Sequence, residues 1–205
     1  MTCLRRSMVR STLRALPALA LAALLAACGS TPVANTWIGP SPELMVGEIR
    51  AVGVAAPGEL DVQPLRDPMV EDLRVQAARA ERAKRYADAA TALDKAMSLA
   101  PEDPALLQER AEVAVFQKNL PEAERLARRA FALGGKVGPL CRRHWMTIRQ
   151  SLAQHQSQLL AMQNGGHLKG AKLTQWEDDM TRVASDLELA RRAQEDCTQT
   201  GPPRY

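Results

Sequence analysis

From Met69 to Leu133 the chain reads MVEDLRVQAARAERAKRYADAATALDKAMSLAPEDPALLQERAEVAVFQKNLPEAERLARRAFAL and repeats itself at 34 residues. Leu73, Ala77, Tyr86, Ala89, Leu93, Ala96 and Pro101 lie opposite Leu107, Ala111, Leu120, Ala123, Ala127, Ala130 and Gly135, each pair offset by the same interval. The alanines carry the physical message. Ala77 and Ala111 fall where the two antiparallel helices of one unit come closest, and a larger side chain there would push them apart. Ala89 and Ala123, then Ala96 and Ala130, do the same on the second helix of each unit. Pro101 ends the first unit, because a proline inside a helix removes a hydrogen bond and clashes with the preceding turn. Aromatic residues make up only 3% of the chain, so the core must be built from Ala and Leu, which suits closely packed helices.

This period and this set of small and large positions resemble the tetratricopeptide repeat. The second unit departs from that pattern, with Gly135 in place of the closing proline and Ala127 at a usually larger position. Two units are fewer than the three normally needed to bury a continuous core, so another element must supply the third layer. Residues 136–198 provide it. Cys141, Trp145, Ile148, Leu152, His155, Leu159 and Met162 alternate spacings of four and three, and so do Leu173, Trp176, Met180, Val183, Leu187, Ala190, Gln194 and Cys197. Both are seams of amphipathic helices, separated by the turn-like Asn164-Gly165-Gly166-His167-Leu168-Lys169-Gly170. Folding back about residue 169 sets Met162 opposite Trp176, His155 opposite Val183, Ile148 opposite Ala190, and Cys141 opposite Cys197. In an oxidising compartment that last pair reads as a structural disulfide. No Cys-x-x-Cys arrangement argues for redox chemistry. A zinc site has only His144 within reach of Cys141, since His155 and His167 lie further along the hairpin.

Upstream of the repeat the chain changes character. Arg5, Arg6, Arg10 and Arg14 precede ALPALALAALLAA (residues 15–27), which is uncharged and too short for the roughly 20 residues a membrane-spanning helix needs. This fits an export signal, whether translation starts at Met1 or at Met8. The signal ends in Leu25-Ala26-Ala27-Cys28, which resembles the bacterial lipobox. The resemblance implies cleavage before Cys28, a diacylglycerol on its sulfur and an acyl chain such as palmitate on its nitrogen, giving a stable anchor. Gly29, in place of a retaining Asp, implies the outer membrane, with the protein facing the periplasm. Cys3 leaves with the signal. Of 27 basic side chains the signal takes four, leaving 23 against 23 acidic ones. A balanced mature chain offers no basic stripe for nucleic acid.

The expected architecture is all-α: two tetratricopeptide-like hairpins stacked on a long C-terminal antiparallel hairpin, with an extended N-terminal tether. Its segments are a signal at 1–27, a Pro-rich tether at 28–47, and an extended strap or short hairpin at 48–67. The two units follow at 68–135, starting from Asp67-Pro68 as a helix start. The closing hairpin spans 136–198 and a disordered tail 199–205. Trp37 in the tether reads either as a docking anchor or as an unstructured residue.

No H-E-x-x-H, G-x-S-x-G or phosphate-binding loop is present, and Gly134-Gly135-Lys136-Val137 reads as a turn. Glu177-Asp178-Asp179 reads as a solvated face, and Trp145 and Trp176 as core. The expectation is a non-enzymatic chain without cofactor or metal. Tetratricopeptide stacks bind peptides on the face built by the first helix of each pair. In this register that face comprises Glu71, Arg74, Ala78, Glu81 and Arg82, then Gln108, Glu112, Val115 and Phe116. Val115 and Phe116 are its apolar members, unless they pack on the following hairpin instead. The Lys and Asn pattern that grips a C-terminal carboxylate in chaperone-binding relatives is absent. The resemblance implies an adaptor for another envelope protein, with secretin or pilus pilots and peptidoglycan-hydrolase scaffolds as precedents. The alternatives are a ligand-binding or enzymatic lipoprotein with its site around His144, Trp145 and His155, and a protein that dimerises through its last helix.

Overall fold

The computed structural model describes residues 37–55, 59, 65–166 and 168–198. The chain divides into two compact units, Met1–Trp37 and Ile38–Tyr205. The signal, Cys28, most of the tether and the tail lie outside the described residues. From Ile38 onward the described chain is all-helical. Seven helices run in the order α1 (Pro42–Ala51), α2 (Pro68–Arg82), α3 (Tyr86–Leu99), α4 (Pro104–Phe116), α5 (Leu120–Leu133), α6 (Pro139–Asn164) and α7 (Ala171–Asp196).

Asp-Pro pairs start the first helix of both units. Asp67 accepts a hydrogen bond from the Met69 amide at 2.7 Å, and Asp103 accepts from Ala105 and Leu106 at 2.8 and 3.3 Å. In each case the proline at the first helical position has no amide hydrogen to leave unsatisfied. Helices α3 and α5 begin and end 34 residues apart, and the repeat extends to the turns. Lys84 and Lys118 take left-handed φ values of 57° and 60°. Arg85 and Asn119, the residues that follow, donate to the carbonyls of Ala80 and Ala114, both at 2.9 Å. The orphan carbonyls at the helix ends are thereby satisfied, as in a Schellman turn.

Packing follows the small residues. Ala77, Ala89 and Ala96 are buried with Val70, Leu93, Leu106 and Val113 in one cluster. Ala111, Ala127 and Ala130 are buried in a second, which takes in Ile148 and Leu152 of α6 and Ala190 of α7. The long hairpin is thus the third layer, with α6 packed on α5 and α7 packed on α6. Its open ends are joined by the Cys141–Cys197 disulfide, with the Cα atoms 5.6 Å apart. Gly138, at φ 92°, donates its amide to the Cys197 carbonyl at 2.8 Å. Towards the turn the seam opens. Trp176 donates Nε1–H to the Leu159 carbonyl at 2.8 Å, but Met162 is exposed rather than buried opposite it.

One expectation is corrected. Residues 42–47 of the expected tether and 48–51 of the expected strap form α1. Ser41 caps it through the Leu44 amide, Pro42 opens it, Glu43 sits in its first turn and Arg50 in its last, all favourable to the helix dipole. Pro42, Met45, Val46 and Ile49 repeat at i, i+3, i+4 and i+7 and are buried. Gly47, the short span and the prolines before it hide that period in the sequence. The described residues between α1 and α2 contain no strand.

Candidate functional site

The face built by the first helices, α2 and α4, is half open and half filled. Helix α1 packs against α4 and α6, antiparallel to α6. Gln154 donates to the Ile38 carbonyl at one end, and Arg142 donates to the carbonyls of Val52 and Val54 at the other, at 2.8 and 3.1 Å. Arg142 also makes a two-pronged pair with Glu59 at 2.9 and 2.8 Å. The second-unit residues of the expected groove are therefore not available to a partner. Gln108, Glu112 and Val115 are fully buried. Phe116 stacks on Tyr86 of α3, with ring centres 4.6 Å apart, and the Arg50 guanidinium lies 5.9 Å from its centre. The physical reason is that α1 carries its own apolar stripe and competes for the concave surface.

The first-unit residues remain open. Glu71, Arg74, Ala78, Glu81 and Arg82 line a cleft of about 390 Å³. Val75 of α2 and Glu109 of α4 complete its α2–α4 side, the buried Leu93 of α3 forms its floor, and Arg50 and Arg143 form its far wall. Most of its charges are matched. Arg74 donates to Glu109 at 2.9 Å and to Glu71 at 2.7 Å, and the Glu109 bonds hold its guanidinium above its ordinary pKa despite partial burial. Arg50 grips Glu81 with two bonds of 2.7 and 2.9 Å. Arg82 is exposed and has no ion-pair or hydrogen-bond partner among the described residues.

Behind the cleft a polar network joins α1, α4 and α6. Glu112 accepts from Arg50 Nε at 2.8 Å, from Arg143 at 3.0 and 2.5 Å, and from Gln108 Nε2 at 2.9 Å. The second Nε2 proton of Gln108 goes to Thr147 Oγ1 at 2.8 Å. Both amide protons are then used, so Gln108 Oε1 is an acceptor, and His144 Nδ1, 2.8 Å away, carries the proton that meets it. His144 Nε2 is left bare, without a partner among the described residues. Burial, with Arg143 and Lys136 nearby, lowers the His144 pKa to about 3, so the ring is neutral.

A ligand site centred on His144 therefore lacks access: the imidazole is fully buried. Trp145 packs against Phe131 at 4.8 Å, and His155 is half-buried. The sequence reading missed Arg50, Glu109, Arg143 and Thr147. Glu109 stands 34 residues after Val75, so the repeat register itself could have placed it on this face.

The neutral histidine has a pH consequence. The unfolded chain binds a proton near pH 6.5 and the folded chain does not until about pH 3, so stability rises with pH across that window. Between pH 7 and 5, above the carboxylate range, His144 should account for about 2 kcal/mol of lost stability. Urea titrations of the wild type and His144→Gln at both pH values check this. An equal loss in the two proteins would remove His144 as the cause.

Among the described residues there is no group of three or more His, Cys, Asp or Glu placed to hold a metal ion, and no helix long and apolar enough to cross a membrane. No protein-family model matches the chain, and a search of the curated proteins finds no match to it.

Proposed function

We propose that the chain is an outer-membrane lipoprotein, acylated at Cys28, that acts as a non-enzymatic adaptor in the periplasm. It holds a segment of another envelope protein in the cleft of its first tetratricopeptide-like unit. The observation that carries this reading is the open cleft itself. It has exposed apolar side chains at Val75 and Ala78 between paired charges, and at its edge a guanidinium, Arg82, that is unpaired among the described residues. That chemistry suits an extended segment presenting a carboxylate to Arg82 and a small apolar side chain to Val75 and Ala78. The export signal, the lipobox-like Leu25-Ala26-Ala27-Cys28 and a disulfide suited to an oxidising compartment support the location.

The test is capture from detergent-solubilised envelopes with the mature protein, alongside Ala78→Trp, which fills the cleft, and Arg82→Glu, which reverses the charge at its edge. A partner held by the wild type should be lost from both variants, at unchanged melting temperature. A partner retained by both variants, or a small molecule that raises the melting temperature while no protein is captured, refutes the adaptor reading.

A further inference from the structure

We infer that the turn end of the α6–α7 hairpin is a membrane-contact surface, resting on the phospholipid leaflet in which Cys28 is anchored. The inference rests on the lipoprotein reading and adds to it an orientation and a surface. Three independent observations lead to it.

The first is the direction of the chain. Ile38 is fixed at Gln154 of α6, and α1 runs from there towards Arg142, away from the turn. Ile38 therefore lies at the end of α1 that is nearer the turn. Nine residues, 29–37, separate Cys28 from Ile38, and a chain of that length reaches at most about 35 Å. Beyond Gln154, α6 continues to Asn164, about 15 Å at 1.5 Å per residue. That length is shorter than the reach of nine residues.

The second is charge. No Asp or Glu occurs between Arg125 and Trp176. At the turn, Lys169 and Lys172 are exposed, and neither has an ion pair among the described residues. The α7 N-terminus between them has no side-chain cap and no acidic residue in its first turn, so its dipole adds to the positive field. Acidic residues begin at Glu177, about 10 Å back along the helix. A basic tip is complementary to anionic headgroups.

The third is apolar exposure at the same end. Leu160 and Met162 are 43% and 57% exposed in the last two turns of α6, Leu160 facing away from the seam and Met162 where the seam has opened. Apolar side chains beside lysines match an interfacial depth, with the aliphatic groups inserted and the ammonium groups among phosphates. The patch is small, but the anchor holds it at millimolar effective concentration over the leaflet, so weak contacts are enough to set the orientation.

The experiment uses the full mature protein, acylated and reconstituted into vesicles of phosphatidylethanolamine with phosphatidylglycerol. Intact mass first establishes the acyl groups. Hydrogen–deuterium exchange then compares the vesicle-bound protein with a secreted Cys28→Ser form. Residues 160–173 should exchange about five-fold more slowly on the vesicles. The triple variant Met162→Glu, Lys169→Glu, Lys172→Glu should lose that protection while keeping its disulfide and melting temperature. An acylated, vesicle-bound protein whose 160–173 segment exchanges at the soluble rate overturns the orientation and leaves the anchor standing. Protection that survives in the triple variant also overturns it. A mature protein without acyl groups overturns both readings.

Discussion

Replacing Cys141 with Ser, or reducing the Cys141–Cys197 disulfide, lowers the stability of the domain by about 4 kcal/mol, the chain-entropy expectation for a loop of this size. For a domain of this length that corresponds to a fall of about 10 °C in melting temperature. The loss is concentrated in α7, because that helix is thinly held. Its main packing partner is α6, and within it only Val183 and Ala190 are buried. The disulfide supplies at the end of α7 what apolar area does not. Without it the last turns fray, and the Gly138 amide loses the Cys197 carbonyl. Intact mass should rise by two hydrogens on reduction. Exchange in reduced protein should accelerate first over residues 185–197. Equal melting temperatures for wild type and Cys141→Ser would show that the bridge is incidental.

That disulfide was legible before any coordinates, because two seams with the same four-three spacing can pair in only one register once the turn is fixed. The helical pairs were legible for a related reason. Their alanines are a steric requirement, and Ala77, Ala89, Ala96, Ala111, Ala123 and Ala130 are all buried. Where reading failed, competition between segments was the cause. The 34-residue register places Gln108, Glu112, Val115 and Phe116 on the concave face, and they do lie on the first helix of the second unit. Nothing within the repeat says that α1 and α6 both pack on α4 there, that Gln108, Glu112 and Val115 are buried, or that Arg50 lies over the Phe116 ring. That outcome depends on a ten-residue helix too short to be stable alone, which exists because the groove completes it. Glu112 looked like a solvent-facing ligand contact, since carboxylates are seldom fully buried unless paired, and its partners come from segments 62 and 31 residues away.

Glu112→Ala is the point substitution with the largest expected cost, about 3–5 kcal/mol. Glu112 is completely buried, and its two oxygens collect Arg50, Arg143 and Gln108. Removing the carboxylate leaves the Arg143 guanidinium without its carboxylate and one of the two Gln108 amide protons without an acceptor, a penalty larger than the attraction lost. Arg50→Ala should cost much less. Its side chain is 43% exposed, solvent screens its attraction, and Glu112 keeps Arg143 and Gln108. The two variants should differ in kind as well as size. Without Glu112 both the α4–α6 packing and the seat of α1 are disturbed. Without Arg50, α1 keeps Met45, Val46 and Ile49 in place and loses its polar lock on Glu81 and Glu112 and its contact over the Phe116 ring. Limited proteolysis should therefore cut residues 38–55 quickly in Glu112→Ala and slowly in Arg50→Ala. A uniformly apolar replacement, Gln108→Leu with Glu112→Leu, Arg143→Met and His144→Leu, separates stability from specificity, and includes His144 because its Nδ1–H would otherwise lose the Gln108 acceptor. Buried ion networks often yield to hydrophobic packing without loss of stability. If the quadruple variant regains the melting temperature yet releases α1 to protease, the network sets where α1 sits rather than how firmly the domain folds. A Glu112→Ala protein within 1 kcal/mol of wild type would remove the network from both roles.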